Sequence, residues 1–363
     1  MTVLALLQAA TTGDGLVHAS QPESGGVWFL ATVIKMLLTF TIYMIGVMLV
    51  IWAERRICGF IQDRLGPNRV GPAGLLQSVA DGVKNIMKEE TYPGQAYLPL
   101  FVLAPVMAFI PALLTWSVIP YGAPWQSKWG TIDMALAPLP IGFLYILSIS
   151  SLGVYGIVLA GWASNSKYSL LGGLRSSAQM ISYEISMGMS TIPVLILAGN
   201  VSLSQIVQQQ GGWGIHWNVI NCTIAFIVFM IAAFAETNRV PFDLPEAESE
   251  LVSGYGTEYG SMKWALFYSA EYVNMASLGA LMSTLYFGGW SLPGVTLPNS
   301  WLGVLAGGAI LGAKVLFWMA FFVWVRFTFP RFREDQLQAF AWKYLIPLSL
   351  LNIVATAVLK VVF

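Results

Sequence analysis

Histidine and cysteine are almost missing from this chain, with two of each in 363 residues. Cys58 and Cys222 stand alone, no CxxC pair occurs, and His18 and His216 are not spaced for one helix face. Zinc, haem and iron–sulfur sites need several such ligands at short spacing, so the chain is expected to hold no metal or cluster of its own. No GxGxxG joins a strand to a helix and no phosphate loop is present, which leaves no dinucleotide fingerprint. Charge is also scarce. Only 10% of residues are Asp, Glu, Lys or Arg, against 56% apolar, and the net charge is +0. That composition excludes an ordinary soluble domain, and no basic excess suggests nucleic acid.

What the chain has instead is oil. A bilayer core needs about 20 consecutive, mostly apolar residues as helix. Eight stretches qualify: residues 27–52, 97–120, 139–161, 177–198, 218–236, 262–287, 303–325 and 340–362. The expected fold is an all-α integral membrane protein of about eight transmembrane helices, with 1–363 as one multi-pass domain. Residues 1–26 read as an N-terminal outer segment, because no Lys or Arg precedes their apolar run as a signal peptide would require. Inner loops are expected at about 53–96, 162–176, 237–261 and 326–339. Fourteen of the eighteen lysines and arginines fall in those loops or the span ends beside them. By the positive-inside rule these loops face the cytoplasm or its organellar equivalent, and both termini face outward. Lys35 and Lys314 lie within spans.

Two inner segments pattern as short amphipathic helices. In residues 75–87, Leu75, Leu76, Val79, Val83, Ile86 and Met87 recur at three- and four-residue steps, with Asp81 and Lys84 opposite. Residues 245–255 open with a proline and three acids, which suit a helix N-terminus. No internal repeat is evident, which argues against inverted-repeat transporters.

Acids cluster where hydrocarbon makes them costly. Glu236, Asp243, Glu246, Glu248, Glu250 and Glu258, a third of all acids, lie between two spans. Glu184 sits about eight residues inside the fourth predicted span, roughly 12 Å at the helical rise. Glu271 lies at similar depth in the sixth, and Glu54 and Glu236 close the first and fifth. Ionisable groups in such places line wet cavities, proton paths or ligand sites. For Glu54 a plain ion pair with adjacent Arg55 and Arg56 is an equal alternative. Glu246 and Glu250 are a like-charged i,i+4 pair, able to share protons if partly desolvated. Arg64 and Arg69 flank a Gly-Pro turn, and Arg326, Arg331 and Arg333 follow the seventh span with Glu334 and Asp335. These arginines are natural carboxylate partners, or simple topology-setting cations. Trp52, Tyr268, Tyr272 and Trp318 read more readily as lipid or packing residues than as ligand contacts.

Four stretches, residues 54–90, 161–184, 235–272 and 326–348, together resemble the NADH dehydrogenase subunit 1 family of the NADH:quinone oxidoreductases, or respiratory complex I. The resemblance implies a membrane subunit of a proton-pumping oxidoreductase of the respiratory chain. It implies a lipid quinone as substrate, with no metal, flavin or iron–sulfur cluster in this chain. Implied partners are the iron–sulfur and quinone-site subunits of a hydrophilic arm and the small and antiporter-like membrane subunits. It assigns Glu54, Arg55, Arg64, Tyr268 and Glu271 to a quinone chamber. Proton coupling falls to Glu184, Glu236, Asp243, Glu246, Glu248 and Glu250, with Glu258, Arg326, Arg331 and Asp335 as further members. A bacterial inner membrane is the expected location, a mitochondrial one the alternative. Two other functions fit the same residues: the membrane subunit of an energy-converting hydrogenase, and a stand-alone ion channel or carrier.

Overall fold

The computed structural model describes residues 25–127, 130–212, 214–243, 251–295, 297–298 and 300–362. Six of its helices are long and apolar enough to cross a membrane. Helix α1 spans Gly25–Ile61, followed by the amphipathic α2 (Gln77–Met87), then α3 (Leu98–Thr115). Next come α4 (Gly142–Ala163), α5 (Lys167–Ala198), α6 (Leu203–Gln209), α7 (Asn218–Asn221) and α8 (Thr223–Glu236). The chain ends with α9 (Ser261–Tyr286), α10 (Trp301–Arg326), α11 (Glu334–Phe340) and α12 (Ile346–Val362).

Several predicted boundaries move. At 37 residues α1 runs about 55 Å, well past a hydrocarbon core of about 30 Å. Glu54, Arg55 and Arg56, expected at the start of an inner loop, therefore sit on its last helical turns. Helix α5 begins at Lys167, so most of the expected 162–176 loop is helix and Glu184 lies near the middle of a 32-residue rod. The fifth predicted span is broken at Cys222, leaving 14 residues in α8. Residues 326–339 include α11, which runs through a π turn at Ala341–Leu345 directly into α12. Among the described residues the fold is helical as expected, apart from an isolated bridge between Leu292 and Val295 and a small hairpin after α3. There a two-stranded antiparallel hairpin pairs β1 (Trp125–Ser127) with β2 (Gly130–Ile132). The segment that follows is tied to α1, where Lys35 Nζ donates to the carbonyls of Asp133 and Ala135 at 3.2 and 3.4 Å. The second predicted amphipathic helix, 245–255, falls largely on 244–250, outside the described residues, as do Glu246, Glu248 and Glu250.

Helix α9 is the axis of the bundle. Residues 275–286 are all buried, against α3, α10 and the shorter α6 and α8. It is long enough to cross a bilayer but too polar to be among the six apolar helices. Buried within protein over its second half, it has no lipid-facing stripe to keep apolar there. Lipid-facing apolar side chains give no drive to associate helices in a membrane, so close backbone approach does that work. At the α3–α4 crossing, a Cβ on Gly156 would stand 2.6 Å from the Ala108 nitrogen and 3.0 Å from the Ala104 oxygen. Gly156→Val should therefore force the two helices apart, costing about 1–3 kcal/mol. Thermal unfolding in detergent checks this, and an unchanged midpoint would refute the close-packed crossing.

Candidate functional site

Four elements bring charge to one buried point. Helix α1 supplies Glu54, the turn after α8 supplies Arg239, α9 supplies Glu271, and α10 ends in Arg326. Arg239 Nη1 lies 3.1 Å from Glu54 Oε1, and its Nε lies 2.5 Å from Glu271 Oε1. Arg326 reaches the same Glu54 oxygen from the other side. The second Glu54 oxygen accepts from the Tyr272 hydroxyl at 2.6 Å, and Tyr272 is 2.8 Å from the Tyr268 hydroxyl. The Arg239 guanidinium also stands 4.6 Å from the centre of the Tyr272 ring, a cation–π contact.

Glu54 and Arg239 are each only 5% exposed. Two carboxylates against two guanidinium groups make the cluster neutral, which is what burial of charge demands. Burial works against the charge on Arg239, but Glu271, Tyr272 and Glu54 together hold it protonated well above its usual range. Beside it lies a cavity of about 250 Å³, lined by Asn238, Trp264, Tyr268 and Arg331 as well as the cluster's own Glu271 and Arg326.

The turn that presents Arg239 is built by residues with little signal in the sequence. Gln179 of α5 donates to the carbonyls of Ala235 and Phe242 at 2.8 and 2.9 Å and approaches Asn238 Oδ1 at 3.2 Å. Asn238 has a left-handed backbone, φ 48°, a conformation its short side chain tolerates. Asp243 is held by Arg331 at 3.1 Å, and the Phe332 amide donates to the Pro241 carbonyl. The segments after α8 and α10 thus brace each other.

A second pair of acids lies deeper. Glu184 accepts from Ser150 at 3.3 Å and from Ser151, both on α4. Glu236 closes α8, which packs against α5, the helix that carries Glu184. Among the described residues the buried Oε2 of Glu236 has no hydrogen-bond partner.

Of the residues singled out in sequence, the structure gathers Glu54, Tyr268, Glu271 and Arg326, with Asp243 and Arg331 on the cavity rim. Glu54 does not pair with Arg55 or Arg56. Arg55 bonds Asp81 of α2, and Arg56 lies over the rings of Trp52 and Phe60. Arg64 is exposed and reaches Gln62 and Cys58, apart from the cluster. Glu258 is half-buried, and Asp335 makes an exposed pair with Arg333 at 3.1 Å. Sequence reasoning missed Arg239, the one cation inside the acid-rich segment, and it took Tyr272 for a packing residue.

Removing one member should strand the others. Arg239→Gln is expected to cost about 3–5 kcal/mol, as breaking a buried pair does. The double variant with Glu54→Gln should cost less than the two singles together, because the stranded charge is gone. Strict additivity in thermal unfolding would show that the two side chains do not interact.

With this geometry in place, comparison with known proteins is direct. The chain matches the NADH dehydrogenase family over residues 34–357. One relative is the second H-type chain of NADH-quinone oxidoreductase from Koribacter versatilis, 46% identical over 345 residues, covering 91% of this chain and 97% of that one. The first H-type chain of the Geobacter metallireducens enzyme is 47% identical over 322 residues, covering 89% and 94%. That of Cytophaga hutchinsonii is 45% identical over 328 residues, covering 89% and 95%. By this match over most of its length, the chain belongs to the NADH dehydrogenase family, among the H-type membrane chains of the NADH-quinone oxidoreductases.

Proposed function

We propose that this chain is the membrane subunit of a proton-pumping NADH:quinone oxidoreductase, forming part of the chamber in which a lipid quinone is reduced. The observation that carries the reading is the neutral, buried cluster of Glu54, Arg239, Glu271 and Arg326 beside its cavity. Quinone plus two electrons and two protons gives quinol. The electrons come from an iron–sulfur cluster in the hydrophilic arm. This chain's share is electrostatic. As negative charge develops on the quinone, Arg239 and Arg326 turn toward it and loosen their hold on Glu54 and Glu271. A carboxylate that loses its cation takes up a proton more readily.

The charge change then passes along the other acids. Asp243 adjoins the cluster through Arg331 and the turn after α8, and Glu246, Glu248 and Glu250 follow it in the chain. Glu236 and Glu184 continue the line into the bundle, and the two serines beside Glu184 can hold a proton donor or acceptor in place. Arg55, Arg64, Glu258 and Asp335 act around this core, lining the approach or meeting other subunits. In this reading α8 with α7, and α9, complete eight crossings of one membrane domain. The charged loops then lie inside, both termini outside, and the membrane is a bacterial inner membrane. Partners are the iron–sulfur and quinone-site subunits and the small and antiporter-like membrane subunits.

Photolabelling of purified membranes with a quinone analogue should mark peptides within 54–87 and 268–271. Labels confined to other subunits would remove the chamber from this chain. Glu184→Gln should lower proton-coupled turnover by about tenfold or more, the scale expected for loss of a proton-transfer group. Undiminished coupling would take Glu184 off the path.

A further inference from the structure

Beyond the end of α9 farther from Glu271, a half-buried lysine is held by backbone carbonyls. Lys314 of α10 places Nζ 2.7 Å from each of three carbonyl oxygens, those of Phe287, Gly289 and Ser291. An ammonium has three donors, and all three are used. The ring of Trp217 lies 5.0 Å from the same nitrogen. The carbonyls converge because Gly288 and Gly289 take left-handed φ values of 68° and 50°, turning the chain back on itself. Gln210 fixes the turn by accepting from the Gly288 amide at 3.0 Å. Rings of carbonyls that replace a hydration shell are how proteins bind monovalent cations. Here the cation is tethered to the chain.

We infer that Lys314 is a fixed positive barrier, its ammonium filling a carbonyl-lined cation site and closing this end of the bundle to protons and other cations. The inference rests on the proton-coupling reading, because a bundle that moves charge between buried acids needs an end that does not leak. One further observation and one energetic argument support it. Buried polar groups run along α9 from the acid cluster toward this end. Tyr272 is followed by Ser277, which meets the Tyr43 hydroxyl and Thr115 Oγ1 at 3.2 Å each, and then by Ser283 and Thr284. Gln210, which holds the Lys314 turn, donates to the Thr284 backbone carbonyl at 3.0 Å, while the Ser283 and Thr284 hydroxyls donate to carbonyls of α9 itself. Secondly, the three carbonyls could be satisfied by a neutral amide or by water, without the cost of a charge inside a membrane. A costly charge in that position is explained by its electrostatic effect, which repels cations as basic groups in pores do.

The test is passive proton permeability of the whole complex in proteoliposomes, with neither NADH nor quinone added, so its result does not depend on the quinone chamber. Lys314→Gln keeps a donor for the carbonyls and removes the charge. It is expected to speed the decay of an imposed pH gradient several-fold, while Lys314→Arg, which keeps the charge, holds the gradient as the parent does. An intact Lys314→Gln complex as tight as the parent overturns the inference. So does an equal leak in Lys314→Arg, which would trace the effect to packing. If Lys314→Gln does not assemble, Lys314→Met carries the same two outcomes.

Discussion

The structure turns on charge balance in a place where water is scarce. Glu54, Arg239, Glu271 and Arg326 come from four separate elements, and none of them could be buried alone. Their mutual neutrality explains several local features at once. Helix α1 is long enough to carry Glu54 to the cluster near its far end. The turn after α8 is held by Gln179 and shaped at Asn238 because Arg239 has to point inward from it. Surface ion pairs such as Arg333 with Asp335, whose side chains are 81% and 67% exposed, contribute little by comparison.

The same physics organises the remaining cations. Lys35 and Lys314 both lie in membrane-crossing helices, and both are satisfied by backbone carbonyls rather than by carboxylates. Each ties a helix to a connecting segment. Arg55 behaves differently. Its bond to Asp81, with the Ser78 hydroxyl donating to the Met48 carbonyl at 2.8 Å, secures the amphipathic α2 against α1. The apolar residues Val79, Val83 and Ile86 of α2 stay exposed, a face suited to lipid.

Much of this was legible in the sequence. Long apolar runs gave the helices, three- and four-residue steps gave α2, and the rarity of charge made each buried acid conspicuous. Pairing was not legible. Glu54 and Arg239 are 185 residues apart, and no local pattern says which cation will meet which acid across such a distance. Pairing with Arg55 or Arg56 was one of two equal readings for Glu54, and neither meets it, since on a helix neighbouring residues point in different directions. Tyr272 looked like packing because a tyrosine's hydroxyl declares itself only when a buried acceptor is found. The β1–β2 hairpin has strands of three residues, too short for a period of two to register. The start of α5 at Lys167 was hidden because its first turns are polar where they meet protein instead of lipid.

Helix α9 carries a wider consequence. A segment packed within protein along much of its length is released from the requirement to be greasy, so it can carry hydroxyls, a carboxylate and aromatic alcohols. In a membrane protein of this kind, the least lipid-like crossing segment is where reactive groups accumulate at lowest energetic penalty.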